Sequence, residues 1–91
     1  MAAKSCKHYY ISGRVQGVWF RDSTRKQANL LGVTGWVRNM ADGRVEVVVC
    51  GSSDLLQAMH TWLQNGPELA DVTHIEVEDI SCEDFPDFAI R

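Results

Sequence analysis

The chain has 91 residues, of which nine are Lys or Arg and twelve are Asp or Glu, giving a net charge of −3. This length suits a single domain spanning residues 1–91, and the 45% of apolar residues suits a globular core. No apolar run approaches the roughly 20 residues of a membrane span, and residues 1–7 lack the apolar segment of a secretion signal. We therefore expect a cytoplasmic protein without a membrane partner.

The first half of the chain contains three predicted strands and one helix. Residues 7–13 form the first strand, and a helix is expected from about Asp22 to Leu31. Two further strands, residues 34–40 and 44–50, are joined by Ala41-Asp42-Gly43. Because an Asp-Gly pair favours a tight hairpin turn, these two strands are expected to pair antiparallel.

The second half contains one predicted helix and two strands. The helix follows Ser52-Ser53, which are good N-cap residues, and it ends at Gly66-Pro67. Residues 72–80 alternate as a strand, and residues 88–90 form a short last strand. The apolar stripe of the helix consists of Leu55, Leu56, Met59, Trp62 and Leu63.

The resulting order is β-α-β-β-α-β followed by a short terminal strand. Two helices that each bury one stripe cover one face of an antiparallel sheet, so the sequence predicts an α+β, ferredoxin-like sandwich. In this arrangement the first two strands run parallel with the third between them, and their ends lie roughly 10 Å apart at one edge. Arg21 and Asn39 are therefore expected to face one site. The fold alone does not decide the function.

The connection between the first strand and the first helix combines several features that bind anions. Its sequence is Gly13-Arg14-Val15-Gln16-Gly17-Val18-Trp19-Phe20-Arg21. Glycine permits backbone turns that gather successive N–H groups into one concavity, and the start of a helix adds partial positive charge. Arg21 adds a planar guanidinium that matches two phosphate oxygens. Together these parts predict an oxyanion cradle.

The charges are distributed unevenly along the chain. Residues 1–44 contain eight of the nine basic residues and two acidic ones, whereas residues 45–91 contain ten acidic residues and one arginine. A basic first half fits a small anionic substrate and also nucleic acid, and it equally fits solvated faces of uneven charge. These alternatives stay open on charge alone.

The segment from Gly13 to Arg21 resembles the signature loop of the acylphosphatases, small enzymes that hydrolyse the mixed anhydride of a carboxylic and a phosphoric acid. A second segment, from Gly35 to Glu46, resembles the other signature of that family. The likeness covers nearly the whole chain. It implies the ferredoxin-like fold and an enzyme that splits a small acyl phosphate into a carboxylate and inorganic phosphate.

The resemblance also implies roles for individual residues. Arg21 is expected to hold the phosphoryl group and stabilise its charge in the transition state, and Asn39 to orient the attacking water. The loop is expected to bind substrate through backbone N–H groups, with Val18 and Phe20 as buried anchors. For Trp19 two alternatives stay open, contact with the acyl group or packing on the sheet edge. The predicted substrate-binding residues are Gln16, Gly17, Val18, Trp19 and Phe20.

Other phosphate and metal chemistries lack their motifs. There is no Walker-type loop, no cysteine six residues before an arginine, and no carboxylate cluster in the basic half that suggests Mg²⁺. The three histidines lie on different predicted elements, so no zinc site is supported. The prediction is direct attack by water, without a metal, a cofactor or a covalent intermediate.

Two competing functions share the predicted fold. An RNA-recognition domain needs exposed aromatic residues on its central strands, and residues 44–50 contain none, so no nucleic acid partner is expected. A non-catalytic anion-binding or regulatory module stays open, since a loop can bind phosphate without turning it over. We expect a monomer.

Two of the three cysteines are predicted to lie near one another. Cys6 opens the first strand and Cys50 closes the third, so antiparallel pairing places the two thiols within bridging distance. A reducing cytoplasm favours free thiols, whereas the isolated, oxidised protein allows a disulfide, and both states stay open. Cys82 is expected to be unpaired. A bridge between Cys6 and Cys50 would lie at the end of the sheet opposite the predicted site, so it should affect the stability of the fold and not the chemistry.

Overall fold

The computed structural model describes residues 4–91, in which the strands and helices follow one another in the predicted order. Both helices pack on one face of a single sheet, which confirms the α+β sandwich expected from the sequence. Within residues 4–91, neither helix has the length and apolar character needed to cross a bilayer. The elements are β1 (Lys4–Arg14), α1 (Phe20–Leu31), β2 (Thr34–Asn39), β3 (Val45–Ser52), α2 (Ser53–Asn65), β4 (Asp71–Ile80) and β5 (Phe88–Ile90).

The strands of the sheet follow the order β4-β1-β3-β2-β5. β3 is antiparallel to both of its neighbours, so β1 and β2 run parallel to each other, as predicted. The terminal strand β5 pairs with β2 in parallel, from Gly35↔Phe88 to Val37↔Ile90. This direction follows from the path of the chain, because β4 finishes at the end of the sheet where β2 begins and residues 81–87 cross along that end.

Each helix buries one stripe of side chains against alternate residues of the central strands. Tyr9 on β1 and Val47 on β3 lie at the centre of this contact and are fully buried. The helical spacing of the stripes explains why these segments form helices and not strands. The buried residues are Phe20, Thr24 and Ala28 in α1 and Leu56, Met59 and Leu63 in α2.

The first helix begins at Phe20, two residues earlier than the sequence predicts. Trp19 occupies the N-cap position in a left-handed conformation, and its carbonyl oxygen accepts a hydrogen bond of 3.0 Å from the N–H of Ser23. Burial of the Phe20 ring, whose centroid lies 6.0 Å from that of Trp62, favours this early start. Arg21 consequently lies inside the first helical turn.

The face of the sheet opposite the helices contains a buried carboxylate. Glu46 on β3 is 5% exposed and accepts hydrogen bonds of 2.6 Å from Arg38 Nε and His8 Nε2. Burial alone would raise the pKa of Glu46, but the hydrogen bonds from Arg38 and His8 outweigh it and hold this pKa below its usual value. Glu46 is therefore ionised at neutral pH and joins β1, β2 and β3.

Protonation of Glu46 is expected to weaken the fold in acid. The unfolded chain has a glutamate pKa of about 4.3, so the ionised carboxylate contributes stability above that pH and loses it as the pH falls through the lower folded-state pKa. Urea unfolding from about pH 7 to about pH 3 should show a larger loss of stability for the wild type than for Glu46→Gln. Glu68→Gln, at an exposed position, is the control. Equal losses in wild type and Glu46→Gln would contradict this role.

Cys6 and Cys50 occupy directly opposed positions on β1 and β3. Their Cα atoms lie 4.1 Å apart and their sulfur atoms are bonded at 2.10 Å. The third cysteine, Cys82, is exposed, and its thiol donates a hydrogen bond to the carbonyl of Lys4 at 3.3 Å. The bridge lies at the end of the sheet away from the loop that follows β1.

Reduction of this bridge is expected to lower the stability of the fold substantially. The bond spans a sequence separation of 44 residues, for which the chain-entropy relation gives about 4 kcal/mol. Urea unfolding with and without dithiothreitol measures the difference. Cys82→Ser, which removes a thiol outside the bridge, is the control. An unchanged midpoint on reduction would mean that Cys6 and Cys50 are free thiols.

Candidate active site

Residues 15–19 connect β1 to α1 through two left-handed residues. Gly17 has a φ of 74° and Trp19 a φ of 66°. Val18 and Phe20 are each 2% exposed and belong to the core, which confirms that they anchor the loop. A left-handed conformation costs a residue with a Cβ about 1–2 kcal/mol, so the buried anchors must hold Trp19 in place.

The loop and the first helical turn contain a continuous run of unpaired backbone donors. Within residues 4–91, none of the seven N–H groups from Gln16 to Asp22 donates a hydrogen bond to the chain. The first that does so is the N–H of Ser23. The start of a helix leaves its first N–H groups free and carries partial positive charge. This segment is therefore a suitable site for an anion.

Positive charge is left uncompensated at the two ends of this loop. Six of the eight basic residues in positions 1–44 form ion pairs. Arg14 and Arg21, which flank the loop, form none with the part of the chain that the structure describes. Asp22 pairs instead with Arg25 at 3.3 Å and Lys26 at 3.2 Å. The guanidinium of Arg21 thus remains available to a ligand.

The loop and the end of β2 border one cavity of about 350 Å³. Arg21 and Asn39 both line it, where the parallel arrangement of β1 and β2 brings them. The Oδ1 atom of Asn39 is buried, and no group among residues 4–91 donates a hydrogen bond to it. A buried acceptor without a donor costs about 1–3 kcal/mol and therefore needs an explanation, such as a hydrogen bond that it accepts from a bound water or ligand.

A second and larger cavity, of about 700 Å³, lies at the opposite end of the sheet beside the disulfide. The charged side chains there are already paired, Lys7 with Asp79 and Lys4 with Asp84, each at 2.7 Å. Nowhere in residues 4–91 do three or more His, Cys, Asp or Glu side chains cluster as metal ligands. We place the candidate active site in the smaller cavity, because an unpaired cation and an unpaired amide meet there.

Comparison with known proteins agrees with this assignment. A family model described as acylphosphatase matches residues 7–90. An acylphosphatase of Legionella pneumophila (strain Corby) is 50% identical over 90 residues, which cover 99% of both chains. The chain belongs to the acylphosphatase family. The family and enzyme class expected from the two signature segments are confirmed.

Solved acylphosphatase structures have the same fold. The structure from Coxiella burnetii has a TM-score of 0.93 at 45% identity and covers 97% of this chain and 93% of its own. The structure from Bacillus subtilis also has a TM-score of 0.93, at 35% identity, and covers 96% of this chain and 98% of its own. The acylphosphatase fold therefore extends over essentially the whole described chain.

The cavity of this acylphosphatase includes some of the predicted substrate-binding residues. Gly17, Trp19 and Phe20 line it, whereas Gln16 and Val18 do not. Trp19 is 74% exposed, which argues against the alternative that its side chain packs on the sheet edge. Val15 and Asp22 also line the cavity, and so does Ile90 of β5, which the sequence does not predict as a site residue. Only the parallel pairing of β5 with β2 brings this residue to the cavity.

The side chain of Gln16 fastens the loop to the hairpin between β2 and β3. Its Nε2 donates hydrogen bonds to the carbonyl oxygens of Met40 at 2.8 Å and Arg44 at 3.0 Å. Met40 directly follows Asn39, so the contact holds the Arg21 loop against the end of the strand that presents Asn39. The sequence predicts only a backbone role for Gln16, because no local pattern signals a contact across 24 residues.

Replacing Gln16 with leucine is expected to lower kcat of this acylphosphatase by about 10- to 100-fold, since a catalytic group misplaced by about 1 Å can cost 10²-fold. KM should change little, because the Arg21 guanidinium and the free N–H groups of the loop remain. Steady-state kinetics on benzoyl phosphate measure both constants. Gln57→Leu, at an exposed position on α2, is the control. A Gln16→Leu enzyme with wild-type kcat would contradict the positioning role.

Proposed function

We propose that this acylphosphatase cleaves acyl phosphates by direct attack of water on phosphorus. Arg21 and the free N–H groups of the loop would hold the phosphoryl group, and Asn39 would hold the attacking water. One observation carries the proposal: an unpaired guanidinium and a buried, unpaired amide oxygen, from different elements, line the same cavity as five of the seven residues whose backbone N–H groups are free.

The phosphoryl group is bound by groups that stabilise charge on its oxygens. The Arg21 guanidinium offers a planar pair of donors, and the N–H groups of Gln16 to Asp22 lie at the positive end of α1. Phosphoryl transfer passes through a loose transition state with charge spread over three oxygens. Donors fixed before the reaction stabilise that charge without reorganising, which is why rigid anchoring by Val18 and Phe20 matters.

The attacking water is oriented by Asn39. The Oδ1 atom, which lacks a donor within residues 4–91, accepts a hydrogen bond from one O–H of the water and so directs a lone pair of the water toward phosphorus. An amide is too weak a base to remove the proton at neutral pH. A carboxylate is a good leaving group, so positioning and electrostatic stabilisation are sufficient. The proton passes to a phosphate oxygen, the P–O bond to the acyl group breaks, and the carboxylate and inorganic phosphate leave.

Hydrolysis of benzoyl phosphate in ¹⁸O-labelled water with EDTA present tests this mechanism. Attack on phosphorus places the label in inorganic phosphate, and turnover should survive chelation. Label in benzoate would instead mean attack on the carbonyl carbon, and a phosphoenzyme trapped by rapid acid quench would mean a covalent intermediate. A folded protein that binds phosphate without turning over benzoyl phosphate would be the non-catalytic anion-binding module.

We further propose that the protein acts as a cytoplasmic monomer without a nucleic acid partner. The monomer is supported by the way the β1–α1 loop, α1, β2 and β5 bring both Arg21 and Asn39 into one cavity, so that no second copy is needed to supply either residue. Size-exclusion chromatography with light scattering measures the mass of the active species. Activity confined to a dimer peak would contradict the monomer.

A further inference from the structure

The candidate active site has two chemically different sides. The polar side consists of Arg21, Asp22 and Asn39, and the proposed mechanism uses Arg21 and Asn39 for the phosphoryl group and the water. Asp22 is paired with Arg25 and Lys26. The apolar side consists of Trp19, Ile90 of β5 and the nearly fully buried Val15. The mechanism described above uses none of these three side chains.

Trp19 differs from the other two tryptophans in having no structural contact of its own. The ring of Trp62 lies 6.0 Å from that of Phe20, and the guanidinium of Arg38 lies 5.2 Å above Trp36. In the described residues 4–91, Trp19 has no aromatic or cationic ring partner and no side-chain hydrogen bond, and it is 74% exposed. It is also the only residue other than glycine in that range with a positive φ.

A large apolar side chain in a strained conformation, exposed and without a packing role, suggests a function in binding. Trp19 is the N-cap residue of α1, directly before the turn that contains Arg21. An acyl group joined to the bound phosphoryl group through a single oxygen must lie within a few ångströms of Arg21. The apolar side formed by Trp19 and Ile90 is where an apolar group of that kind loses the most contact with water.

We infer that Trp19 is a specificity-determining residue that selects acyl phosphates with flat, aromatic acyl groups over short ones such as acetyl phosphate. This inference rests on the proposed function, because it takes the phosphoryl position from it. The indole face stacks on the acyl ring, and Ile90 contacts its edge. A stacked aromatic pair is worth up to about a tenfold change in affinity.

Kinetics on two substrates test the inference. We expect Trp19→Ala to lower kcat/KM for benzoyl phosphate by about tenfold more than kcat/KM for acetyl phosphate. Trp19→Phe keeps an aromatic face and should restore most of the preference. Alanine and phenylalanine share the steric cost of the left-handed conformation, so the comparison separates stacking from strain. Leu30→Ala, on an 82% exposed residue of α1, is the control.

A binding measurement covers the case in which turnover is absent. Isothermal titration with phenylphosphonate and methylphosphonate compares an aromatic with a short group on the same anion. Wild type should prefer phenylphosphonate, and Trp19→Ala should lose that preference. Equal losses on both substrates, or an unchanged preference in Trp19→Ala, would overturn the inference. A wild type inactive on both acyl phosphates would overturn the proposed function, while the phosphonate titration would still decide the role of Trp19.

Discussion

Replacing Arg21 with alanine is expected to lower kcat/KM for benzoyl phosphate by about 10³-fold or more. The guanidinium is the only cation on the cavity wall among the described residues, and the acidic residue of that wall, Asp22, is paired with Arg25 and Lys26. Its loss removes charge stabilisation from both bound substrate and transition state, so KM should rise while kcat falls. Arg21→Lys keeps the charge but not the planar fork and should recover only part of the activity.

The same substitution should not harm the fold, which separates a catalytic effect from unfolding. Arg21 is exposed and sits in the first turn of α1, where a cation is unfavourable by about 0.3–1 kcal/mol. The free energy of unfolding should therefore stay constant or rise slightly in urea titrations. Arg14→Ala is the matched control, since Arg14 is also unpaired but lies outside the cavity wall. Equal losses of activity in Arg14→Ala and Arg21→Ala would mean that both arginines only attract the anionic substrate through their charge, and that Arg21 has no specific role in the cavity.

Replacing Asn39 with alanine is expected to lower kcat by about 10²–10³-fold with little change in KM. The phosphoryl group keeps Arg21 and the loop N–H groups, so binding persists, whereas the water loses the acceptor that orients it. Steady-state kinetics on benzoyl phosphate measure both constants. A KM that rises in proportion to the loss of kcat/KM, with kcat intact, would place Asn39 in substrate binding and not in the attack.

Stability measurements sharpen the test of Asn39. Its Oδ1 is buried without a donor among residues 4–91, so deletion of the amide should leave the free energy of unfolding unchanged or raise it. Asn29→Ala, an exposed position on α1, is the control for loss of an asparagine. Marked destabilisation by Asn39→Ala would instead mean that the amide is a structural group of the β2–β3 hairpin.

The order of elements and the meeting of Arg21 with Asn39 could be predicted from local sequence features. Gly32, Asp42-Gly43 and Gly66-Pro67 end elements by their backbone preferences, and the helical stripes identify the covered face. Once the order is β-α-β-β-α-β, sheet topology alone brings the first loop and the end of β2 together.

What escaped prediction depends on contacts distant in sequence. The start of α1 at Phe20 is determined by burial of that ring near Trp62. To predict the hydrogen bond from Gln16 to the β2–β3 hairpin, one would have to know how the two loops are positioned relative to each other. To predict that Ile90 lines the cavity, one would have to know the direction of β5 in the sheet. No local pattern encodes these distances, because they emerge only when the sheet is assembled.

The position of β5 affects when the cavity can form as the chain is synthesised. The β1–α1 loop and Asn39 leave the ribosome well before residues 88–90, yet Ile90 forms part of the cavity wall. A nascent chain that has already formed the β2–β3 hairpin still lacks that wall and the strand that covers the edge of β2. The wall that contains Ile90 is therefore complete only after β5 has emerged, crossed the sheet and docked beside β2.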